Sequence, residues 1–264
     1  MISKKQHLVT DYSTDALTYL LNRLKKTPVL DYSLQVNPSI PAYLRNQASQ
    51  WLLDRSPELG LDPHTVQLAV SLLHIVLSRM SCPKTVLQLV VVLCLNIAAK
   101  YQEGRNMTVE QVVEQAGNTY RAQEVIATEL YIMQKLEWTL AYPTAAELGR
   151  QLVYITGVEY NFEKILERSE AFESLCYGDF GFLGFSPLSV AVVCVSFALE
   201  QFRQIQFRNQ WLRLLSEKVH LVNFDEVDRC KTTLLLKLYR ETPEAERKNL
   251  GLSEEKLKPL AGKA

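Results

Sequence analysis

Lys100 and Glu129 are charged residues standing where the surrounding pattern asks for apolar ones. Lys100 follows Ile97, Leu93 and Leu89 by three, seven and eleven residues, which puts it on their helical stripe. Glu129 falls within residues 125–136, on the face predicted from Val125, Ile126, Ile132, Met133 and Leu136. A charge on an apolar face is costly unless it is paired or hydrogen-bonded. Two readings stay open at this point. Lys100 can snorkel from a helix C-terminus, where a cation is favoured, with Glu129 at the edge of its stripe. Alternatively, the two face one groove and offer charge-assisted hydrogen bonds to another molecule.

Other candidate chemistry is sparse. The histidines His7, His64, His74 and His220 have no Cys or carboxylate at recognisable ligand spacing, so no metal is expected. The cysteines Cys82, Cys94, Cys176, Cys194 and Cys230 are odd in number and at least 12 residues apart. They read as reduced core residues, which places the protein in the nucleus or cytoplasm. Asp179-Phe180-Gly181 spells the metal-binding triplet of protein kinases. The glycine-rich loop, strand lysine and His-Arg-Asp loop that a kinase also needs are missing, so the triplet reads as chance. With no phosphate-cradling loop, His-Glu-x-x-His or Gly-x-Ser-x-Gly, no catalytic residue and no cofactor are expected.

The elements that would carry the two charges are helical. Leu44, Ala48, Trp51 and Leu52 make one stripe, and a second helix follows Pro63. Pro83 opens a third, roughly 84–101, apolar nearly all round and therefore a buried centre. Thr108 with Gln111 forms a capping box and Gly117 a stop, and a fifth helix is predicted over 120–137. The pattern then restarts. Thr144 with Glu147 caps a helix ending near Gly157, Asn161 opens the next, and Ser186-Pro187 starts another apolar one. A helix around Trp211 and one capped by Asn223 with Glu226 complete the second set. Each half thus has five helices with the third the apolar one. The expected fold is all-α: two tandem five-helix units, preceded by a short helix around 13–26. The segments read as 1–40 (helix and linker), 41–141 (first unit), 142–241 (second unit) and 242–264 (a polar tail expected to fray).

Composition narrows the partners. Lys+Arg and Asp+Glu are both 29, so the net charge is zero. This opposes a nucleic-acid binder or an anionic-membrane anchor. No signal peptide is visible, and the apolar run from Thr85 to Ala99 is too short to span a bilayer.

The chain resembles a cyclin from about Tyr12 to Tyr239. Ala98-Ala99-Lys100-Tyr101-Gln102-Glu103 is similar to the end of the third cyclin-box helix. Glu129, then Leu136-Glu137-Trp138, Leu140 and Pro143-Thr144, is similar to the fifth helix and its exit into the second box. Tyr12, Asp15, Tyr19 and Leu20 resemble the N-terminal helix of A- and B-type cyclins. The resemblance implies a double cyclin-box fold and a regulatory subunit, not an enzyme, that binds and activates a cyclin-dependent protein kinase as a heterodimer in cell-cycle control. It implies that Ile97, Lys100, Tyr101, Glu129, Met133, Trp138 and Leu140 meet the kinase around its αC helix, with Tyr12, Asp15 and Tyr19 touching it too.

One departure concerns substrate docking. Where many cyclins read Met-Arg-Ala-Ile-Leu before a Trp, this chain reads Leu44-Arg45-Asn46-Gln47-Ala48, then Trp51. Two large aliphatics of the patch that binds Arg-x-Leu peptides are gone. Each loss removes about 1.5–3 kcal/mol of apolar contact if fully buried. The Asp that pairs with the family's Arg aligns with His74, so Arg45 needs another acceptor and His74 reads as a core histidine. Arg247-Lys248-Asn249-Leu250 fits only a minimal destruction box. The sequence looks nearer the divergent O, J and P types than a mitotic cyclin. The alternative readings are a cyclin-fold docking scaffold without kinase activation, a nucleic-acid-associated cyclin fold, and an enzyme of unrecognised type.

Overall fold

The structure, a computed structural model, describes residues 4–26, 37–156, 161–218 and 222–243. Secondary structure among the described residues is helical: α1 (Lys4–Lys26), α2 (Ala42–Leu59), α3 (Pro63–Arg79), α4 (Lys84–Glu103), α5 (Val109–Gln115), α6 (Ala122–Lys135), α7 (Ala145–Thr156), α8 (Phe162–Tyr177), α9 (Pro187–Gln201), α10 (Ile205–Lys218) and α11 (Phe224–Glu241). One 3-10 turn, Phe180–Phe182, lies between α8 and α9. The expected five-and-five count is met by α2–α6 and α7–α11. The N-terminal helix is longer than expected, since it begins at Lys4 rather than near 13. The helix expected over 120–137 is Ala122–Lys135, entered from Arg121. The stop at Gly157 and the tail beyond Pro243 lie outside the described residues.

Among the described residues, two compact units form. One comprises Tyr19–Glu147 with Tyr177–Gly184; the other comprises Met1–Thr18, Leu148–Cys176 and Phe185–Ala264. The first is built around α3 and α4, which pack on each other, with α2 and α6 against them. Residues Leu89 to Ala99 of α4 are all buried, as a helix apolar on every side requires. This burial also explains why a helix long and apolar enough to cross a bilayer is a core helix here.

Polar side chains fix the helix ends. Thr108 and Gln111 form the expected capping box. Thr144 Oγ accepts from Glu147 N (3.2 Å), while the Glu147 carboxylate takes Arg23 (3.3 Å). Gln67 Oε1, buried in α3, accepts from Ala146 N (2.8 Å) and so anchors the start of α7. Asn37 donates to the carbonyls of Leu77 (2.6 Å) and Met80 (2.7 Å) and accepts from Cys82 N (2.6 Å), which ties the α3–α4 turn to the segment before α2.

In the second unit α9 is the buried centre, with α10 and α11 packed on it. Ser186 and Asn223 cap α9 and α11 through Leu188 N and Glu226 N. The Glu226 carboxylate does not close a box; it accepts from Ser186 N and so joins two helix starts. All five cysteines are free and buried. Cys176 and Cys194 lie with their Sγ atoms 4.0 Å apart.

Candidate functional site

Lys100 lies in the last turn of α4, which Gly104 ends in a left-handed conformation (φ 64°). Glu129 lies in the middle of α6. The packing of α4 on α6 brings the two side chains together, with Lys100 Nζ donating to Glu129 Oε1 at 2.6 Å. The pair is on the surface, 36% and 28% exposed, and is not enclosed in the core. Nζ has further donors and the carboxylate has further lone pairs beyond this bond. The pair can therefore offer both a donor and an acceptor to an incoming main chain.

Apolar groups flank it. Ile126 and Leu130 share the α6 surface with Glu129, and both are exposed, as are Tyr131, Tyr101 and Trp138. Lys135 Nζ stands over the Tyr131 ring at 5.0 Å. Met133 and Leu140 are half-buried. Two sequence expectations are corrected here. Ile126 belongs to this outer stripe at 58% exposure, and the core face of α6 is Val125, Ile132 and Leu136. Ile97, expected at the contact, is 3% exposed and lies with the buried residues of α4. The exposure of Leu130 was missed. The signal was available, since Ile126, Leu130 and Met133 follow i, i+4, i+7, a second apolar stripe beside the first. A helix with two apolar stripes and one core to face must leave one stripe exposed.

Trp138 is presented by an unusual exit from α6. Glu137 N donates to Gln134 O (3.0 Å) and Trp138 N to Met133 O (3.0 Å), the double bond pattern that closes a helix in a left-handed residue. Neither left-handed position is glycine: Glu137 has φ 53° and Trp138 φ 57°. The indole projects from this turn at 65% exposure. On α1, Asp15 and Tyr19 are exposed, and the Arg23 guanidinium lies 5.6 Å from the Tyr19 ring. The Tyr12 side chain lies outside the described residues.

The α2 face has Gln47 exposed, Leu44 and Trp51 half-buried and Ala48 buried. Tyr43 beside them is exposed, and Arg55 lies 5.9 Å over the Trp51 ring. Arg45 takes no part in this surface, being fully buried. Its Nε donates to Ile40 O (3.3 Å), and its guanidinium stacks 5.1 Å from the Phe180 ring, with no hydrogen-bond acceptor for either Nη. Burial pulls the guanidinium below its ordinary range. His74 is the neighbouring core group. Its Nε2 is 2.9 Å from Ser49 Oγ and its ring 5.7 Å from Phe180. Burial first, and the Arg45 charge second, push its pKa down to about 3, so His74 is neutral near pH 7. The Asp179-Phe180-Gly181 triplet thus has a structural role. Asp179 Oδ1 accepts from Gly181 N (2.9 Å) to start the 3-10 turn, and Phe180 covers Arg45.

No cluster of three or more His, Cys, Asp or Glu that could hold a metal occurs among the described residues.

Residues 15–141 match the family model described as Cyclin, N-terminal domain. Among curated proteins, the chain is 27% identical over 173 residues to the G1/S-specific cyclin-D2 of Rattus norvegicus, covering 65% of this chain and 60% of that one. It is 29% identical over 207 residues to Cyclin-A1-2 of Arabidopsis thaliana, covering 77% of this chain and 46% of the relative. The chain therefore spans about 60% of the first relative's length and under half of the second's. Among solved structures, a viral cyclin from herpesvirus saimiri superposes with a TM-score of 0.69 at 18% identity, over 83% of this chain and 96% of that one. A chain of the CAK complex from Chaetomium thermophilum bound to ATP-gamma-S superposes with a TM-score of 0.60 at 13% identity, over 99% of this chain and 83% of that one.

Proposed function

Because this chain belongs to the cyclin family and has the cyclin-box fold, we propose that it is a non-catalytic regulatory subunit that binds and activates a cyclin-dependent protein kinase. The complex is a heterodimer acting in cell-cycle control, in the nucleus or cytoplasm, without a nucleic-acid or membrane partner. Residues 41–141 and 142–241 serve as the first and second cyclin boxes. One observation carries the reading: a half-buried Lys100–Glu129 pair with exposed Ile126 and Leu130 beside it on α6 and exposed Tyr101 next to it on α4. Single exposed apolar groups are ordinary, but an apolar surface around a polar centre is the anatomy of a protein interface.

The mechanism is differential binding. An active kinase has its αC Glu paired with the strand Lys and its activation loop ordered. A surface that binds αC better in that position shifts the population toward it, by as much as the affinities for the two states differ. Lys100 would donate to, and Glu129 accept from, main-chain groups of the kinase in a contact the apolar rim keeps dry.

The test is the double substitution Lys100→Ala with Glu129→Ala, read by capture of a kinase from cell extract and phosphorylation of a standard substrate by the captured complex. Binding is expected to weaken by about 2–5 kcal/mol, the cost of truncating desolvated charged groups. A wild-type chain that captures no kinase defeats the proposal. That same outcome supports the docking-scaffold reading, while a captured kinase whose activity does not rise removes the activating role.

A further inference from the structure

The turn that presents Trp138 is strained, and a side chain from a different helix holds it. In the last turn of α6 the carbonyls find partners one by one. Ile132 O accepts from Leu136 N (2.9 Å), Met133 O from Trp138 N (3.0 Å), Gln134 O from Glu137 N (3.0 Å) and Leu136 O from Thr139 N (2.9 Å). The Lys135 carbonyl is the exception in kind: it accepts from the guanidinium of Arg79, at the end of α3, with Nη1 to O at 3.0 Å. The same Nη1 is 3.8 Å from Glu137 Oε1. Tyr142 lies on the chain beyond the turn, 4% exposed; burial raises its hydroxyl above the ordinary range, and Arg79 pulls it back.

Left-handed backbone is disfavoured for residues with a Cβ, and here two adjacent residues adopt it without a glycine. Such a pair persists only where the surroundings over-determine it. The Glu137 carboxylate is 80% exposed, so the ion pair contributes little by itself. The hydrogen bond to Lys135 O, made by an Arg79 side chain only 26% exposed, is the stronger hold.

We propose that Arg79 is a positioning residue for partner binding: it bolts the α6 exit to α3 and so keeps the strained Glu137–Trp138 turn in the form that projects the indole. This rests on the kinase-binding reading for its consequence, but not for its geometry, which the free chain can report. A pre-set aromatic anchor loses less freedom on binding, so removing the bolt lowers affinity without removing any atom of the contact.

The experiment uses the full chain with Trp51→Phe, so that the remaining indoles are Trp138, exposed, and Trp211, 1% exposed. Time-resolved fluorescence anisotropy and iodide quenching then report Trp138. Arg79→Met, which keeps the aliphatic stem and removes the donors, is expected to add a fast depolarising component at unchanged helical circular dichroism. Affinity for the kinase captured by the wild-type chain is expected to fall about tenfold. Adding Glu137→Gly, which relieves the strain at the first left-handed position, is expected to restore part of both readouts; if Arg79 touched the kinase directly, the affinity would stay lost. Unchanged Trp138 anisotropy in Arg79→Met overturns the proposal, as does lost affinity that Glu137→Gly leaves untouched. If the wild-type chain binds no kinase, the functional reading fails, while the anisotropy still decides whether Arg79 sets the turn.

Discussion

At the residue scale, burial decides what each charge does. Lys100 and Glu129 form a surface ion pair 2.6 Å apart, a class that contributes about 0–1 kcal/mol to folding. The Lys100→Ala/Glu129→Ala chain is therefore expected to melt within about 4 °C of wild type while losing its partner. A melting point lowered by much more would assign the pair to the fold. His74 behaves in the opposite way. Its pKa is about 3 in the folded chain against 6.5 in the unfolded one, so the unfolded state binds more protons between those values. Its contribution to stability is fully present above pH 6.5 and is lost as pH falls toward 3, at about 1.4 kcal/mol per pH unit. Replacing His74 by Gln should flatten urea-unfolding free energy across pH 4.5–6.5, leaving only the carboxylates' share. An undiminished slope would mean that His74 is not the titrating group.

At the element scale, close helix approach sets what small residues are for. Gly149 in α7 faces Glu173 of α8, a glutamate buried at 1% exposure and bonded at Oε1 by Ser169 Oγ (3.0 Å). A Cβ at position 149 would collide with that Oε1 and come within 3.4 Å of Cδ. Because the carboxylate is enclosed, it cannot swing into water. Gly149→Ala is expected to destabilise by about 1–3 kcal/mol, the usual cost of overpacking. Shortening the neighbour with Glu173→Asp should recover part of this in a double-mutant cycle, and strict additivity would refute the clash. Gly104 poses a different constraint. Nothing lies within 4 Å of a Cβ there, so Gly104→Ala tests only the left-handed backbone (φ 64°), with an expected cost of about 1 kcal/mol in chemical denaturation.

At the scale of the whole molecule, the five thiols report folding as one set. All are buried and free, and burial pushes Cys82 up to about 11 and Cys94, Cys194 and Cys230 higher still. Thiolate is the reactive form, so labelling by a disulfide reagent at pH 8 should be negligible in the folded chain. Five equivalents should react once it is unfolded in guanidinium. Prompt reaction of one thiol under native conditions would locate a region that opens locally.

Most of the architecture was readable in the residues. The apolar helix between Pro83 and Lys100, the Thr108 and Asn223 caps and the five-and-five count come from local pattern, and local pattern is what a helix records. Residue spacing likewise put Lys100 near a helix end and Glu129 on a helix with an apolar face. The tertiary structure decided how those faces were shared out. Periodicity reports that a side chain is apolar but not which of two apolar stripes meets the core, so Ile126 read as interior; Ile97 was placed at the contact by the family resemblance, which does not report burial. The same limit hid Arg79, whose partner is a backbone carbonyl 56 residues away. A main-chain acceptor carries no side-chain identity, so no sequence pattern could have named it; only the packing of α3 beside the end of α6 brings the two together.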